Sequence, residues 1–462
     1  MIIRRFADFA AGLSSADLPD STMHAAKRAV IDWFSSTLRG GLEPPATLLA
    51  KAFPDSNGPH GPHKALIYPS GRGADAPTAA LINGAAGHTI EFDDIYRDGL
   101  YHPAAPVIPA VLAVVQARNL SGDAFLRAVT AGYEVSNRMA VAVNPAHYDF
   151  WHTTGTIGTF GAAAGASVAL GLDGEGVGHA MANAGTLASG LQQAFRADAM
   201  AKPMHTAHAA QTGVILALAA EQGVTGVMDI LEGERGFGAA MCTNDKNPSG
   251  PDWQAAADAL ETSFTIERMT FKNHAACGHT HAAIDGVLTI RNEHRLKPDD
   301  IGALRIASFQ KAVEICGNAD PQTIFEAKFS MPYCAAIAMT AGRVRMDAFS
   351  EDLLKDQDLR VLMDKVEFTV DEQLTKEFPK RRAAHVAIET TGGETFEHYS
   401  PTRKGDPDNP LSDDELADKF IELTEPALGG DGAAILLDAL WRLDSARDLV
   451  SLPIHAAGAA AQ

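Results

Sequence analysis

Residues 155–171, GTIGTFGAAAGASVALG, constrain the fold more than any other part of the chain. Glycine and alanine recur there at three- and four-residue spacing, which places them on shared faces of an α-helix. Side chains this small let helix backbones approach closely, so the segment predicts a tight helical bundle. Its neighbours agree. DSTMHAAKRAVIDWFSSTLRGG offers Asp20 or Ser21 as an N-cap, then Ala26, Val30, Ile31, Phe34 and Leu38 at helical spacing, with Gly40 and Gly41 to end the helix. Further helices are predicted over 76–92, 105–118, 122–143, 155–170, 174–191 and 204–222. A dinucleotide-binding loop is the rival reading of the glycines. GLDGEGVG (171–178) does not fit GxGxxG, and a helix-like segment precedes it where a strand is required.

The pattern changes near residue 263. SFTIERMTF, IGALRIASF, KVEFTVDE and the two arms of HVAIETTGGETFEHY alternate as strands do, with Gly392-Gly393 where a tight hairpin turn belongs. FEAKFSMPYCAAIAMTAG, from Phe325, reads as helix between them. The Pro- and Asp-rich YSPTRKGDPDNPLSDDE marks a boundary, after which DDELADKFIELTEPAL and DGAAILLDALWRLD return to helix; the terminal HAAGAAAQ is expected to fray. The expected fold is therefore mainly α: a large all-helical domain built from both chain termini (1–264 and 401–462) and a smaller α+β domain (265–400). No internal repeat is evident.

Composition narrows the partners. At 462 residues, with 46% hydrophobic and 21% charged residues, the chain can bury a large core. A net charge of −20 argues against nucleic acid, whose phosphates need clustered Lys and Arg. An anionic small molecule would need a locally basic pocket. The four cysteines (Cys242, Cys277, Cys316 and Cys334) have no CxxC spacing, so neither a disulfide framework nor an iron–sulfur cluster is suggested. No run of about 18 apolar residues predicts a membrane span, and MIIRRFADFAAGL is too short an apolar run for a secretory signal. A cytoplasmic protein is expected.

Four stretches concentrate chemistry. NGAAGHTIEFDDIYRDGLYHPAAPVIP carries Glu91, Asp93, Asp94 and His102 at a helix end and the loop after it; a solvated acidic loop is the bland alternative. FWHTTGTIGTFG places His152 before Thr153 and Thr154, either of which can cap the next helix; alone, this histidine favours packing. AKPMHTAHAAQTG places Lys202 before Pro203 in a helix's first turn, where a lysine can serve the same anion-attracting end; a surface lysine is the commoner case. FKNHAACGHTHAAID packs Lys272, Cys277, His279 and His281 together. Zinc needs a second ligand cluster that the sequence lacks, whereas acid/base work needs one lysine or histidine at a pocket wall. Lys272 closes an alternating run, where a strand hands over to a loop.

Taken together, these stretches resemble the MmgE/PrpD family, which includes 2-methylcitrate dehydratase, cis-aconitate decarboxylase and iminodisuccinate epimerase. The matching motifs follow the family's order: NGAAGHTIEFDD with HPAAPVIPAVLAV, SGDAFLRAVTAGYEVSNR, WHTTGTIGTFGAAAGAS with LGL, KPMHTAHAAQTGVILALAA, ILEGERGFG, FKNHAACGHTHAAID and EAKFSMPYCAA. The resemblance implies a helical domain and an α+β lid with the active site between them, a homodimer, and no metal or organic cofactor. It places the polar pocket on His102, His152, Lys202, Lys272 and Tyr333, with Glu91, Asp93 and Asp94 lining the cavity. Two lysines and two histidines would make a local cationic pocket for a small di- or tricarboxylate. Two departures stand out. Glu91-Phe92-Asp93-Asp94-Ile95 replaces Asp-Phe-Asp-Asp-Thr, and Cys277 stands where the decarboxylase pattern has a histidine.

Family chemistry moves a proton on a carbon beside a carboxylate. A lysine whose pKa is lowered by burial and neighbouring cations could serve as base, and Tyr333 or a histidine as second acid. The leading expectation is a hydro-lyase resembling 2-methylcitrate dehydratase. An epimerase or racemase of an amino- or imino-dicarboxylate is the runner-up, followed by a cis-aconitate-type decarboxylase. A helical binding protein that kept the pocket without the chemistry is the non-enzymatic alternative.

Overall fold

The computed structural model describes residues 1–54, 65–195, 197, 199–245 and 247–454, and the HAAGAAAQ tail lies outside them. The fold is 59% helical, with only small sheets. The chain divides into two compact units: Met1–Thr270 with the chain from Ser412 onward, and Phe271–Leu411. Among the described residues, no helix is long and apolar enough to cross a membrane.

The first unit is built from helices α1 (Ile2–Gly12), α2 (Asp20–Gly40), α3 (Ala46–Ala52), α4 (Ala76–Thr89), α5 (Ala104–Arg118), α6 (Gly122–Val143), α7 (Thr153–Ala169), α8 (Gly174–Leu187) and α9 (Ala201–Glu221), with shorter helices and the C-terminal helix Asp413–Trp441. Local chemistry sets their starts. Asp75 accepts from the Thr78 N–H before α4, Ser121 from Ala124 before α6, and Asp173 from Glu175 and Gly176 before α8. Helix α7 is the centre: every residue from Thr153 to Val168 is buried, as expected of a helix that is apolar or small all round. It packs against α5, α6, α8 and α9. The small residues make this possible. A Cβ on Gly132 of α6 would sit 2.8 Å from the Gly161 carbonyl oxygen, and one on Gly213 of α9 would sit 2.5 Å from Ala162 Cβ.

Several boundaries differ from the sequence reading. The first unit is not all-helical: β1 (Ala65–Ile67) and β2 (Arg72–Ala74) form a small antiparallel hairpin. Neither strand is long enough to alternate visibly, and its polar backbone is met by side chains: Leu66 N donates to Gln116 Oε1 and Asn83 Nδ2 donates to the Leu66 carbonyl. Helix α7 starts at Thr153, so His152, not a threonine, occupies the N-cap position. SFTIERMTF is no strand. Residues Thr265–Arg268 form a 3₁₀ turn because Glu134, buried on α6, accepts from both the Thr265 hydroxyl and the Ile266 N–H at 2.9 Å. A buried carboxylate satisfies backbone that a neighbouring strand would otherwise have paired.

The C-terminal helix begins with a reciprocal cap between Ser412 and Glu415 and breaks at Gly429, whose φ of 70° is left-handed. Its buried Lys419 donates to Asp32 Oδ1 of α2 at 2.6 Å and to the Phe92 carbonyl at 2.8 Å, and lies 4.3 Å over the Phe92 ring. Residues from both ends of the chain thus prop the segment between α4 and α5.

The second unit holds a four-stranded sheet in the order β4 (Val366–Val370), β3 (Ile301–Ser308), β5 (Ala384–Thr390), β6 (Thr395–Ser400); β3 and β4 are parallel, the other pairs antiparallel. Helix His281–His294 packs on β5 and β6. The hairpin at Gly392-Gly393 exists, but residues 391–394 form a four-residue loop with Gly393 at φ 86°, not a two-residue turn. The predicted helix from Phe325 is two helices, Ile324–Lys328 and Met331–Ala341, because Ser330 caps the second by accepting from Tyr333 N.

Candidate active site

In the first unit, α4 ends at Thr89 and the chain reverses at Glu91, whose φ of 61° is rare for a side chain of this kind. Such a conformation costs on the order of 1 kcal/mol and persists where surroundings impose it. Here the imposed contact is an ion pair between Glu91 Oε1 and Lys202 Nζ in the first turn of α9. Burial disfavours the charge on Lys202, but the Glu91 carboxylate outweighs it and holds the lysine pKa above its ordinary value. Lys202 also lies 5.5 Å over the Phe195 ring. The expected lysine of lowered pKa is therefore not found here; Lys202 is a fixed cation.

The three carboxylates that the sequence grouped as one acidic lining have three different surroundings. Glu91 serves Lys202. Asp94 is fully buried and receives the Tyr133 hydroxyl at 2.9 Å and the Ala104 N–H, at the start of α5, at 3.1 Å. Burial, then the nearby Asp32 and Asp93 charges, push its pKa well above the usual carboxylate range. Asp94 anchors a helix start. Asp93, also fully buried, has Oδ2 2.7 Å from His88 Nδ1 and 3.1 Å from His102 Nδ1. Burial alone would raise its pKa, yet the two imidazoles hold it well below the usual range, so this carboxylate is ionised.

Beside this trio stands a second imidazole pair. His152 Nδ1 lies 3.1 Å from His205 Nδ1 of α9, and its backbone N–H donates to the Gly190 carbonyl. Burial first, then neighbouring His88 and Lys202, keep His152 far below its ordinary pKa; burial and His88 push His205 down to about 4. Both are neutral near pH 7, and one hydrogen is shared between the facing nitrogens. The ring of His152 stacks on His88 at 5.6 Å, and His88 meets His102 edge-on at 5.0 Å. His102 is fixed from behind by its backbone N–H, which donates to Thr154 Oγ1.

Four imidazoles, two engaged carboxylates and one lysine thus converge from α4, the loop after it, α7 and α9. The sequence reading identified His102, His152, Lys202, Glu91 and Asp93 but passed over His88 and His205, although both sit inside the motifs it quoted. His88 precedes Asp93 by five residues across a helix end, a local signal that could have been used. His205 meets His152 only through the packing of α9 on α7, and nothing local announces that. The ligand atoms of His88, Asp93 and His102 lie within 4.8 Å of one another, so the group also has the spacing of a cation site. It excludes Cys277, His279 and His281, the trio weighed for zinc from the sequence.

In the second unit, Lys272 is buried in the irregular segment ahead of helix His281–His294, not at a strand end. His274 Nε2 lies 2.9 Å from Asp285 Oδ1, and Asp285 Oδ2 accepts from the Lys404 N–H at 2.7 Å. Arg403 and Asp406 form a buried two-point pair, and Arg403 Nη1 also donates to the Gly278 carbonyl. His279 packs between Phe309 and Phe378; burial, then Arg382 and Arg403, hold it neutral. His281 opens its helix with Nε2 3.1 Å from the Ala276 carbonyl oxygen. Both take structural roles. Cys277 is buried, its N–H donating to the Lys328 carbonyl. The Tyr333 hydroxyl donates to the Ala348 carbonyl at 2.8 Å, and burial raises its pKa. That proton is committed to the backbone, which gives no support to Tyr333 as an acid.

Two sequence models match: the MmgE/PrpD N-terminal domain over residues 4–249 and the MmgE/PrpD C-terminal domain over residues 274–444. Among similar proteins, a cis-aconitate decarboxylase-like protein (oryM) of Aspergillus oryzae is 25% identical over 460 residues, covering 95% of this chain and 94% of its own length. The cis-aconitate decarboxylase of Homo sapiens is 29% identical over 385 residues, 80% of this chain and 77% of its own. That of Aspergillus terreus is 23% identical over 465 residues, with 96% and 93% covered.

Proposed function

Because the chain belongs to the MmgE/PrpD family, we propose that it is a cofactor-independent lyase acting on a small di- or tricarboxylate. The observation that carries this reading is the buried Asp93 between His88 and His102, with the Lys202–Glu91 ion pair in the same cluster. An imidazole backed by a buried carboxylate takes and returns a proton near neutral pH. Lys202, kept charged by Glu91, binds a substrate carboxylate and stabilises the negative charge that builds on it as the neighbouring carbon loses its proton. Lys272, assigned by the family resemblance, is proposed as a further acid/base group. A cytoplasmic homodimer completes the reading.

The leading reaction is loss of water. A base removes the proton on carbon, the electron pair forms the alkene, and the carbon–oxygen bond breaks as an acid protonates the departing hydroxyl. Decarboxylation is the second reading, favoured by the names of the relatives: the carbon–carbon bond breaks, carbon dioxide leaves and the carbon takes a proton. Cys277, standing where the resemblance expects a decarboxylase histidine, weighs against it.

Incubation of the protein with citrate-like, 2-methylcitrate-like and cis-aconitate-like polycarboxylates in D₂O, followed by NMR, tests the proposal. New alkene with loss of hydroxyl supports the hydro-lyase, and carbon dioxide release supports the second reading. Deuterium uptake with inversion and no alkene replaces both with an epimerase. Binding without any exchange of carbon-bound hydrogen overturns the enzyme assignment.

A further inference from the structure

His88 has no role in the pocket that the family resemblance supplies, yet it makes the shortest contact to Asp93. We propose that His88 is a positioning residue: through Asp93 it fixes the tautomer and the ring orientation of His102. This deepens the acid/base reading given above and rests on it.

The argument starts from what each nitrogen can do. His88 is fully buried, and its Nε2 has no hydrogen-bond partner among the described residues. A buried N–H left unsatisfied is rarer than an unsatisfied lone pair, so Nε2 carries the lone pair and the hydrogen sits on Nδ1. That hydrogen points to Asp93 Oδ2, 2.7 Å away. Asp93 Oδ1 is likewise buried without a hydrogen-bond partner, so the carboxylate directs all its accepting capacity through Oδ2. The same Oδ2 lies 3.1 Å from His102 Nδ1, close but off the line of a formed hydrogen bond, and an acceptor at that distance favours a hydrogen over a lone pair on Nδ1. His102 is then left with its lone pair on Nε2, the form a general base needs.

The three side chains differ in access. Those of His88 and Asp93 are 0% exposed, that of His102 16%. The outermost ring does the chemistry and the two behind it set its state. His88 is itself held by stacking on His152. Without His88, Asp93 would keep one partner and could rotate about its side-chain bonds, presenting either oxygen to His102.

Two variants separate positioning from mere packing. In His88→Asn the amide nitrogen can stand where Nδ1 stood and keep the donor, whereas His88→Leu fills space without one. With ¹⁵N-histidine labelling, long-range ¹H–¹⁵N spectra report the His102 tautomer with no substrate present. The wild type is expected to show His102 with hydrogen on Nδ1, the Leu variant a mixture, and the Asn variant the wild-type state. On the polycarboxylate turned over in the D₂O assay, His88→Leu is expected to lower kcat about 10- to 100-fold. KM should stay within about twofold, and His88→Asn should recover most of the loss.

Three results overturn the proposal: a wild-type His102 with hydrogen on Nε2, an unchanged His102 tautomer in folded His88→Leu, or a folded Asn variant as impaired as Leu. So does a stoichiometric metal ion in protein purified without chelator and bound across His88, Asp93 and His102, because the Nδ1 atoms would then be ligands and not donors. The wild-type spectrum needs neither a folded variant nor a known substrate. Failure of the lyase reading therefore leaves this inference separately testable.

Discussion

The two histidine-rich regions of this protein use similar residues to opposite ends. Around Asp93, polar atoms from α4, α7, α9 and one loop converge, so His88 and His102 meet one carboxylate oxygen and His152 meets His205. Around FKNHAACGHTHAAID no acceptor is shared among the described residues: His274 meets Asp285, His281 meets a backbone carbonyl with its ring edge-on to His274 at 5.1 Å, and His279 meets two phenylalanine rings. Histidine density in the sequence therefore marks two different things. In the helical unit it marks a network gathered on one carboxylate oxygen and one imidazole pair, and in the α+β unit it marks a loop whose histidines are tied down by different partners.

The largest expected effect tests this contrast directly. Asp93→Asn keeps the size of the side chain but replaces the shared acceptor with an amide, which can no longer satisfy both Nδ1–H groups. Turnover should fall about a thousandfold with the melting temperature little changed. Asp285→Asn, the matching change in the other loop, should cost less than about tenfold, since Asp285 ties His274 to the Lys404 backbone. A larger loss from Asp285→Asn than from Asp93→Asn, in folded proteins, would invert the contrast.

Lys202→Gln comes next. It removes the cation and strands Glu91, so KM for a polycarboxylate should rise about 100-fold while kcat falls less. If the cation acts through binding, Glu91→Gln should be milder, because it leaves the lysine in place. A kcat effect exceeding the KM effect in Lys202→Gln would make Lys202 a proton-transfer group after all.

The neutral imidazoles of the helical unit also predict how stability responds to acid. His147 is buried, with Nε2 2.7 Å from Thr156 Oγ1 and Nδ1 3.0 Å from the Met241 carbonyl oxygen, and burial pushes its pKa down to about 4. The unfolded chain binds that proton near pH 6.5, so the stabilisation is complete above pH 6.5 and is lost as pH falls toward 4. At full effect this linkage is worth about 3 kcal/mol. Denaturant unfolding of wild type and His147→Gln between pH 7 and pH 4 should show the wild type losing stability more steeply; parallel curves would remove His147 as the cause.

Much of this organisation was legible beforehand, and the parts that were not share a physical reason. Helix α6 runs from Gly122 to Val143, the limits its patterning predicts, because Ser121 and the apolar repeat are local signals. Misread were SFTIERMTF, whose backbone is satisfied by Glu134 from 131 residues away, and the grouping of Glu91, Asp93 and Asp94, three neighbours sent to three distant partners. Lys419 and Asp32 are 387 positions apart, yet together they carry the loop that holds Asp93. Alternation and spacing report what a residue does within its own element. The site is assembled between elements.

Tyr333 gives the smallest expected effect and the sharpest test of how far a motif can be trusted over its surroundings. The family resemblance offers it as an acid, but its hydroxyl is buried and donates to the Ala348 carbonyl. Tyr333→Phe removes that one hydrogen bond and leaves the carbonyl unsatisfied, a cost of about 1 kcal/mol in stability. Activity should change less than about threefold, because the proton was already committed to the backbone. A folded Phe variant that lost about 100-fold in kcat would mean that Tyr333 releases the Ala348 carbonyl when substrate binds, and the α+β unit would then supply chemistry as well as its tied-down loop.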